Sequence, residues 1–331
     1  MIGRRRIAKF LFIGLILITI CFLLGPRPKV HLKLEEIDLP PIQELANYFN
    51  GQESKITGLM PGTEKHIRFY RDEPKVTEFA VVFVHGFSAS RQECSPVQEN
   101  VANHLKANLF CTRLTAHGLD GEKFGEVTAN DWLNDINEAV AVGKQLGRRV
   151  VLIGMSTGGT LSLWRANRVD DVEVLILLSP NFGVANPNAN LALLPWGRQL
   201  IRIIQGSHNE FVPKNERHAR YWTEKYRSEG IVEMLALVNY CCRQDYSEFE
   251  IPCLCVYSEK DELLDLSKIQ NQFNSLVSSS RKKIVALSNS PGHRLTGEIL
   301  APETVTPLTL LIIEFLDGIL PGNLSEATQK N

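Results

Sequence analysis

Apolar positions along the chain fall into two periods that take turns. Short runs rich in β-branched residues, "FAVVFVHG" (79–86), "LFCTRL" (109–114), "RVVLIG" (149–154), "VEVLILLS" (172–179), "IPCLCVYS" (251–258) and "KKIVALS" (282–288), predict strands, and "KHIRFYR" (65–71) a further one. Between them the spacing turns helical. Val97, Val101 and Leu105 share one face over 95–108, and Trp132, Ile136, Ala139, Val140 and Gly143 share another behind a capping Thr128. Residues 157–168, 266–277 and 304–316 complete the helical set. Apolar strands alternating with helices imply a mostly parallel sheet covered by helices on both faces.

Two segments depart from this alternation. Residues 181–248 carry helix-like stretches and no convincing strand, so they are expected to form a helical cap insertion on the rim of the sheet. Leu191, Leu193, Leu194, Trp196, Leu200, Ile201, Ile203 and Ile204 crowd its first part. At the N-terminus, Arg4, Arg5, Arg6 and Lys9 precede an uncharged apolar run from Phe10 to Leu24. The region before Gly25 has no A-x-A-like cleavage site. Residues 1–28 are therefore expected to act as an uncleaved signal anchor that holds the protein at a membrane through a single helix. A cleaved signal peptide, giving an exported soluble form, is the alternative. Arg27, Lys29 and Lys33 weaken the positive-inside bias, which otherwise places the rest of the chain on the non-cytoplasmic side. A linker over 29–64, with a short helix near 41–49, then leads to one α/β domain over 65–320 and a tail over 321–331.

Composition narrows the classes. The 331 residues are 44% hydrophobic, enough for a sizeable core. With 36 basic against 37 acidic side chains the net charge is −1, and no block of like charge points to nucleic acid. The seven cysteines include no C-x-x-C pair, and Cys253 and Cys255 read as buried thiols on one side of a strand. No metal and no organic cofactor is implied, and protein partners are not indicated.

The chemistry starts at "VVLIGMSTGGT", where a strand stops at Gly154 and a serine stands between Gly154 and Gly158. G-x-S-x-G is weak alone, but between a strand and a helix it is what a nucleophile elbow requires. Ser156 would stand exposed at the carboxyl edge of the sheet, at a helix N-terminus that favours a developing oxyanion. A serine needs a base to take its proton. Among the eight histidines, His293 follows both the serine and a late strand, in the loop "SNSPGHRLTG". The acid comes from Glu259, Asp261, Glu262 or Asp265 behind the preceding strand. Asp261 is preferred because it lies at the same edge, whereas Asp265 suits a helix cap. The oxyanion donors are expected to be the backbone N–H groups of Phe87 and Met155. Leu194 and Trp196 are expected to line an acyl groove.

These segments resemble the α/β-hydrolase superfamily: "HGF", "LTAHG", "GMSTGG", the pattern from Pro252 to Asp261, and Gly292-His293. They are most similar to the branch holding bacterial carboxylesterases and monoacylglycerol lipases, over about residues 65–320. Ala116 and Ser258 depart from it, standing where that family usually has glycine. The resemblance implies a serine hydrolase cleaving small or medium-chain acyl esters through an acyl-enzyme. A peptidase of the prolyl-aminopeptidase type, an acyltransferase and a non-catalytic binding module are the alternatives.

Overall fold

The computed structural model describes residues 2–168, 170–276 and 281–320. Helices α1 (Ile2–Leu23) and α2 (Ile42–Glu53) lead into the first half of the sheet. That half contains β1 (His66–Arg68), β2 (Thr77–Val84), α3 (Val97–His104), β3 (Asn108–Cys111), α4 (Ala129–Leu146), β4 (Gly147–Met155), α5 (Thr157–Ala166) and β5 (Val172–Leu178). The cap follows, with α6 (Gly197–Gln205), β6 (His208–Glu210), α7 (Glu216–Tyr221), β7 (Lys225–Arg227) and α8 (Ser228–Cys242). The chain returns to the sheet with β8 (Cys253–Ser258), α9 (Leu266–Asn274), β9 (Lys282–Leu287) and α10 (Pro302–Ile319).

The seven-stranded sheet runs β1-β3-β2-β4-β5-β8-β9, with β1 antiparallel at one edge and every other pairing parallel. Both faces are covered, which explains why the central strands read as unbroken apolar runs. In β2, Ala80, Val82 and Val84 join Trp132, Ile136 and Leu161 of α4 and α5 on one face. Phe79, Val81 and Phe83 join Val97, Val101 and Ile312 of α3 and α10 on the other. Thr128 caps α4 in a reciprocal box with Asp131, which fixes where that helix starts. The tail after Leu320 lies outside the described residues.

Three sequence expectations change here. The cap is not purely helical, because β6 and β7 pair antiparallel from His208–Arg227 to Glu210–Lys225. These strands have no apolar alternation, so pairing and not pattern defines them. The segment before α2 is not a loose linker. It is fastened along α4, with Lys33 N–H donating to Asn130 and Glu35 N–H to Asn134. Gln145 also donates to the Pro40 carbonyl. Lastly, the membrane-spanning anchor is not supported. Among the described residues no helix is long and apolar enough to cross a membrane. The apolar part of α1 from Phe10 to Leu23 extends only about 21 Å against roughly 30 Å of hydrocarbon. Its side chains are exposed, Phe10 at 74% and Leu11 at 69%, so the run is not a core helix either. All seven cysteines are free thiols.

Candidate active site

At the end of β4, Ser156 takes φ 52° and ψ −117°, and α5 starts at the next residue. The glycines around it are steric requirements. A Cβ at position 154 would stand 2.5 Å from the Gly158 carbonyl oxygen, and one at 158 would stand 2.2 Å from that of Val84. A residue with a side chain at positive φ costs on the order of 1–3 kcal/mol and persists only where neighbours over-determine it. Here they do. Ser156 N–H donates to Leu178, and its carbonyl accepts from Gly159 and from Asn181.

Three side chains from three strand ends meet at this turn. His293 Nε2 lies 3.0 Å from Ser156 Oγ, and His293 Nδ1 lies 2.8 Å from Asp261 Oδ2. The Asp261 side chain is fully buried, and its Oδ1 accepts the N–H groups of Leu263 and Leu264. That leaves Oδ2 for the Nδ1–H of His293, and it directs Nε2 towards the serine hydroxyl. The neighbouring acids go elsewhere. Asp265 caps α9 by accepting from Ser267, while Glu259 and Glu262 are exposed.

The loop behind β2 approaches from the other side. His85 is buried, and burial pushes it down to about 4, so it is neutral. Its Nδ1–H donates to the Gly86 carbonyl, and Nε2 accepts from Leu114 N–H. This holds Phe87 in the wall of the site. Among the expected oxyanion donors, Phe87 lines the cavity and Met155 does not. Met155 is the last residue of β4, paired with Leu178 and packed in the core under the sheet. Thr157 lines the cavity instead. As the first residue of α5 it has no carbonyl four positions back within the helix to accept its N–H. That signal was present in the sequence, since the residue after the elbow serine opens the helix.

The cavity over Ser156 has a volume of about 480 Å³. Its lining joins apolar Val184, Ile201, Ile231, Met234, Leu235 and Leu264 with Ser88, Glu93, Asn209, Trp222 and Arg294. Leu194 and Trp196 do not line it. Trp196 stands at φ 64° before α6 and faces the N-terminal segment, its N–H donating to the Pro26 carbonyl and its indole N–H to that of Cys21. Leu194 is exposed. The cap residues that reach the cavity come from α6 and α8, from β6 and β7, and from the loops between the elements.

Glu93 carried no mark of function in the sequence. It is 6% exposed, and its Oε2 accepts Gly86 N–H at 2.6 Å. Burial pushes its carboxyl up to about 7, against the Gly86 hydrogen bond and the charges of His293 and Arg294, which pull it down. Of the two departures from the family pattern, Ala116 takes φ 72°, where glycine would be unstrained. Ser258 is buried, and its hydroxyl accepts Lys260 N–H.

Comparison with known proteins places this arrangement. A thermostable monoacylglycerol lipase from Bacillus sp. (strain H-257) is 25% identical over 222 residues, covering 67% of this chain and 84% of the lipase. A structure of the metagenome-derived lipolytic enzymes LipS and LipT superposes with a TM-score of 0.63 at 19% identity, covering 77% of this chain and 99% of its own. A soluble variant of the Saccharomyces cerevisiae monoglyceride lipase reaches 0.56 at 13% identity, over 90% of this chain and 97% of its own. At such identities the two structures establish the fold, that of the α/β-hydrolases. The sequence model described as serine aminopeptidase, S33, matches residues 76–299, from the residue before β2 to the loop before α10. That span is more than half of the chain, and the chain belongs to this family of hydrolases.

Proposed function

We propose that the chain hydrolyses carboxylic esters of small to medium acyl length through an acyl-enzyme on Ser156. The observation that carries this is the Asp261–His293–Ser156 hydrogen-bonded chain, with Ser156 and His293 lining a cavity that apolar side chains of the cap also line. In this reading Ser156 Oγ attacks the ester carbonyl as its proton passes to His293 Nε2. The oxyanion takes hydrogen bonds from the N–H groups of Phe87 and Thr157. Asp261 holds the imidazolium that forms. His293 then protonates the departing alkoxide, and the acyl group stays on Ser156. Water entering that space gives a proton to His293 and attacks the acyl carbonyl, and His293 returns that proton to Ser156 Oγ as the acid leaves. The relatives named as lipases support an ester as the bond cleaved.

The acyl chain is assigned to the apolar side chains Ile231, Met234 and Leu235 of the cavity lining. Each methylene buried there is worth about 0.8 kcal/mol, or roughly fourfold. A second reading, a peptidase, is favoured by the description of the matching family as serine aminopeptidase and by Glu93, which puts a carboxylate in the cavity as binding of a free amino terminus needs. Arg294 faces that carboxylate from within the same cavity, which disfavours a second cation. A panel of 4-nitrophenyl esters from acetyl to dodecanoyl, run beside amino-acid anilides, decides. Ester turnover rising with chain length to a plateau is expected, and turnover of the anilides alone would replace the ester reading.

A further inference from the structure

Glu93 is a buried carboxylate inside the catalytic cavity that the serine mechanism does not use. Its position is specific. Oε2 accepts the N–H of Gly86, the residue before Phe87, at 2.6 Å. Both carboxylate oxygens crowd Gly86, at 3.1 and 3.2 Å from where a Cβ would stand, and the Ser156 Cβ lies 3.0 Å from that same point. The carboxylate is therefore wedged between the turn that bears Phe87 and the turn that bears the serine. The groups whose charge reaches it are His293 and Arg294, both from the loop behind β9. On its own element the neighbour is the buried Cys94 thiol, and Tyr226 of β7 faces it only through Arg294.

We infer that Glu93 is a positioning residue for catalysis, fastening the Phe87 turn through Gly86 N–H. Without the acceptor, Gly86 is untied and the Phe87 N–H loses its fixed aim at the oxyanion.

This inference rests on the assignment of Ser156 and His293 given above, and the experiment separates the two. Wild type, Glu93→Gln and Glu93→Ala are compared in full-length protein for kcat, KM, pH profile, melting temperature and labelling by a fluorophosphonate. Gln is isosteric and keeps an acceptor for Gly86 N–H, so it removes the charge alone. The expected result for Glu93→Ala is a kcat lower by about 10- to 100-fold with KM within about twofold, part of the 10²–10³ that loss of an oxyanion donor costs. Glu93→Gln, which keeps the acceptor, recovers most of that loss. A Glu93→Ala enzyme of unchanged kcat, or a Glu93→Gln enzyme that loses as much as Glu93→Ala, overturns the inference and leaves the ester reading standing. Wild type that neither turns over esters nor takes the label overturns both.

Discussion

Two residues that carry side chains cap helices from positive φ: Ser156 before α5, at 52°, and Trp196 before α6, at 64°. Their surroundings differ. Around Ser156 the chain removes every competing Cβ, at Gly154 and Gly158, and three backbone hydrogen bonds tie the turn to β5 and α5. The strained residue then faces an open cavity and meets His293. Around Trp196 the space is made by Gly25, where a Cβ would fall 2.0 Å from the indole nitrogen. Its bonds run to Pro26 and Cys21. Strain of similar kind serves chemistry in one place and attaches the cap to the N-terminal segment in the other. What separates them is where the side chain can go, and this is set by the partners and not by the turn.

The comparison is sharpened most by the partners of Ser156. Asp261→Asn is expected to lower kcat by about 10⁴, the scale seen when a triad acid can no longer hold the histidine tautomer. Asp265→Asn, four residues on, should leave kcat within about twofold and cost at most about 1 kcal/mol, since it changes only the cap of α9. Steady-state kinetics and thermal melts on the pair check both. Equal losses of turnover would move the acid.

Next in size is the acyl profile. Ile231→Ser introduces a polar group into the apolar lining of the cavity, so the rise of kcat/KM from acetyl to octanoyl esters should flatten several-fold. Leu194→Ser, on the exposed side of the cap, should leave the profile unchanged. Chain-length series on both variants read this directly. A profile that flattens for Leu194→Ser alone would put the groove on the other side of the cap.

Stability against pH is a third test. Glu93 holds its proton up to about 7 when folded, against an ordinary value of 4.5. The folded state thus binds more protons between these values, and this group's contribution to stability falls as pH rises from 4.5 to 7. Glu93→Gln lacks that loss. Its unfolding free energy relative to wild type, followed by thermal melts, should climb between pH 5 and pH 7 and level off above, by an amount on the order of 1–3 kcal/mol. His85 and His218, both pushed down to about 4 mainly by burial, act in the opposite sense but are common to both proteins. A difference that is flat with pH would mean that Glu93 is ionised in both states.

The smallest effect belongs to Trp196. Trp196→Gly relieves the positive φ and removes the indole's bond to Cys21, so acetyl-ester turnover should stay within about twofold while the segment between Gly25 and Pro41 is cut faster in limited proteolysis. A large loss of turnover would mean that attachment of the N-terminal segment also shapes the site.

Much of this molecule can be read from its sequence because backbone constraint and residue type coincide. The strands of a doubly covered sheet must be apolar throughout, and Gly154 and Gly158 are the residues that fit where β4, α5 and the end of β2 nearly touch. Asp261 could be told from Asp265 because a helix start has its own use for an acid. Other parts depend on facts the pattern does not carry. The apolar content of 191–204 is evident, but that Ile201 lines the cavity and Trp196 meets the N-terminal segment depends on tertiary partners that the pattern does not name. The strands β6 and β7 exist only through each other. Glu93 sits in a polar loop and reads as a surface acid until the fold closes over it. The oxyanion donor proposed beside the serine is a different case: Thr157 opens α5 and lines the cavity, whereas Met155 ends β4 and does not.

The central claim is that Ser156 is a nucleophile activated by His293. The most direct measurement is to react the full-length protein with a fluorophosphonate and locate the adduct by peptide mass spectrometry. The account predicts one adduct, on Ser156, with labelling abolished in Ser156→Ala and slowed by orders of magnitude in His293→Ala, while both variants keep the wild-type circular dichroism. Labelling of Ser156→Ala at the wild-type rate, or an adduct on any other residue, would contradict it.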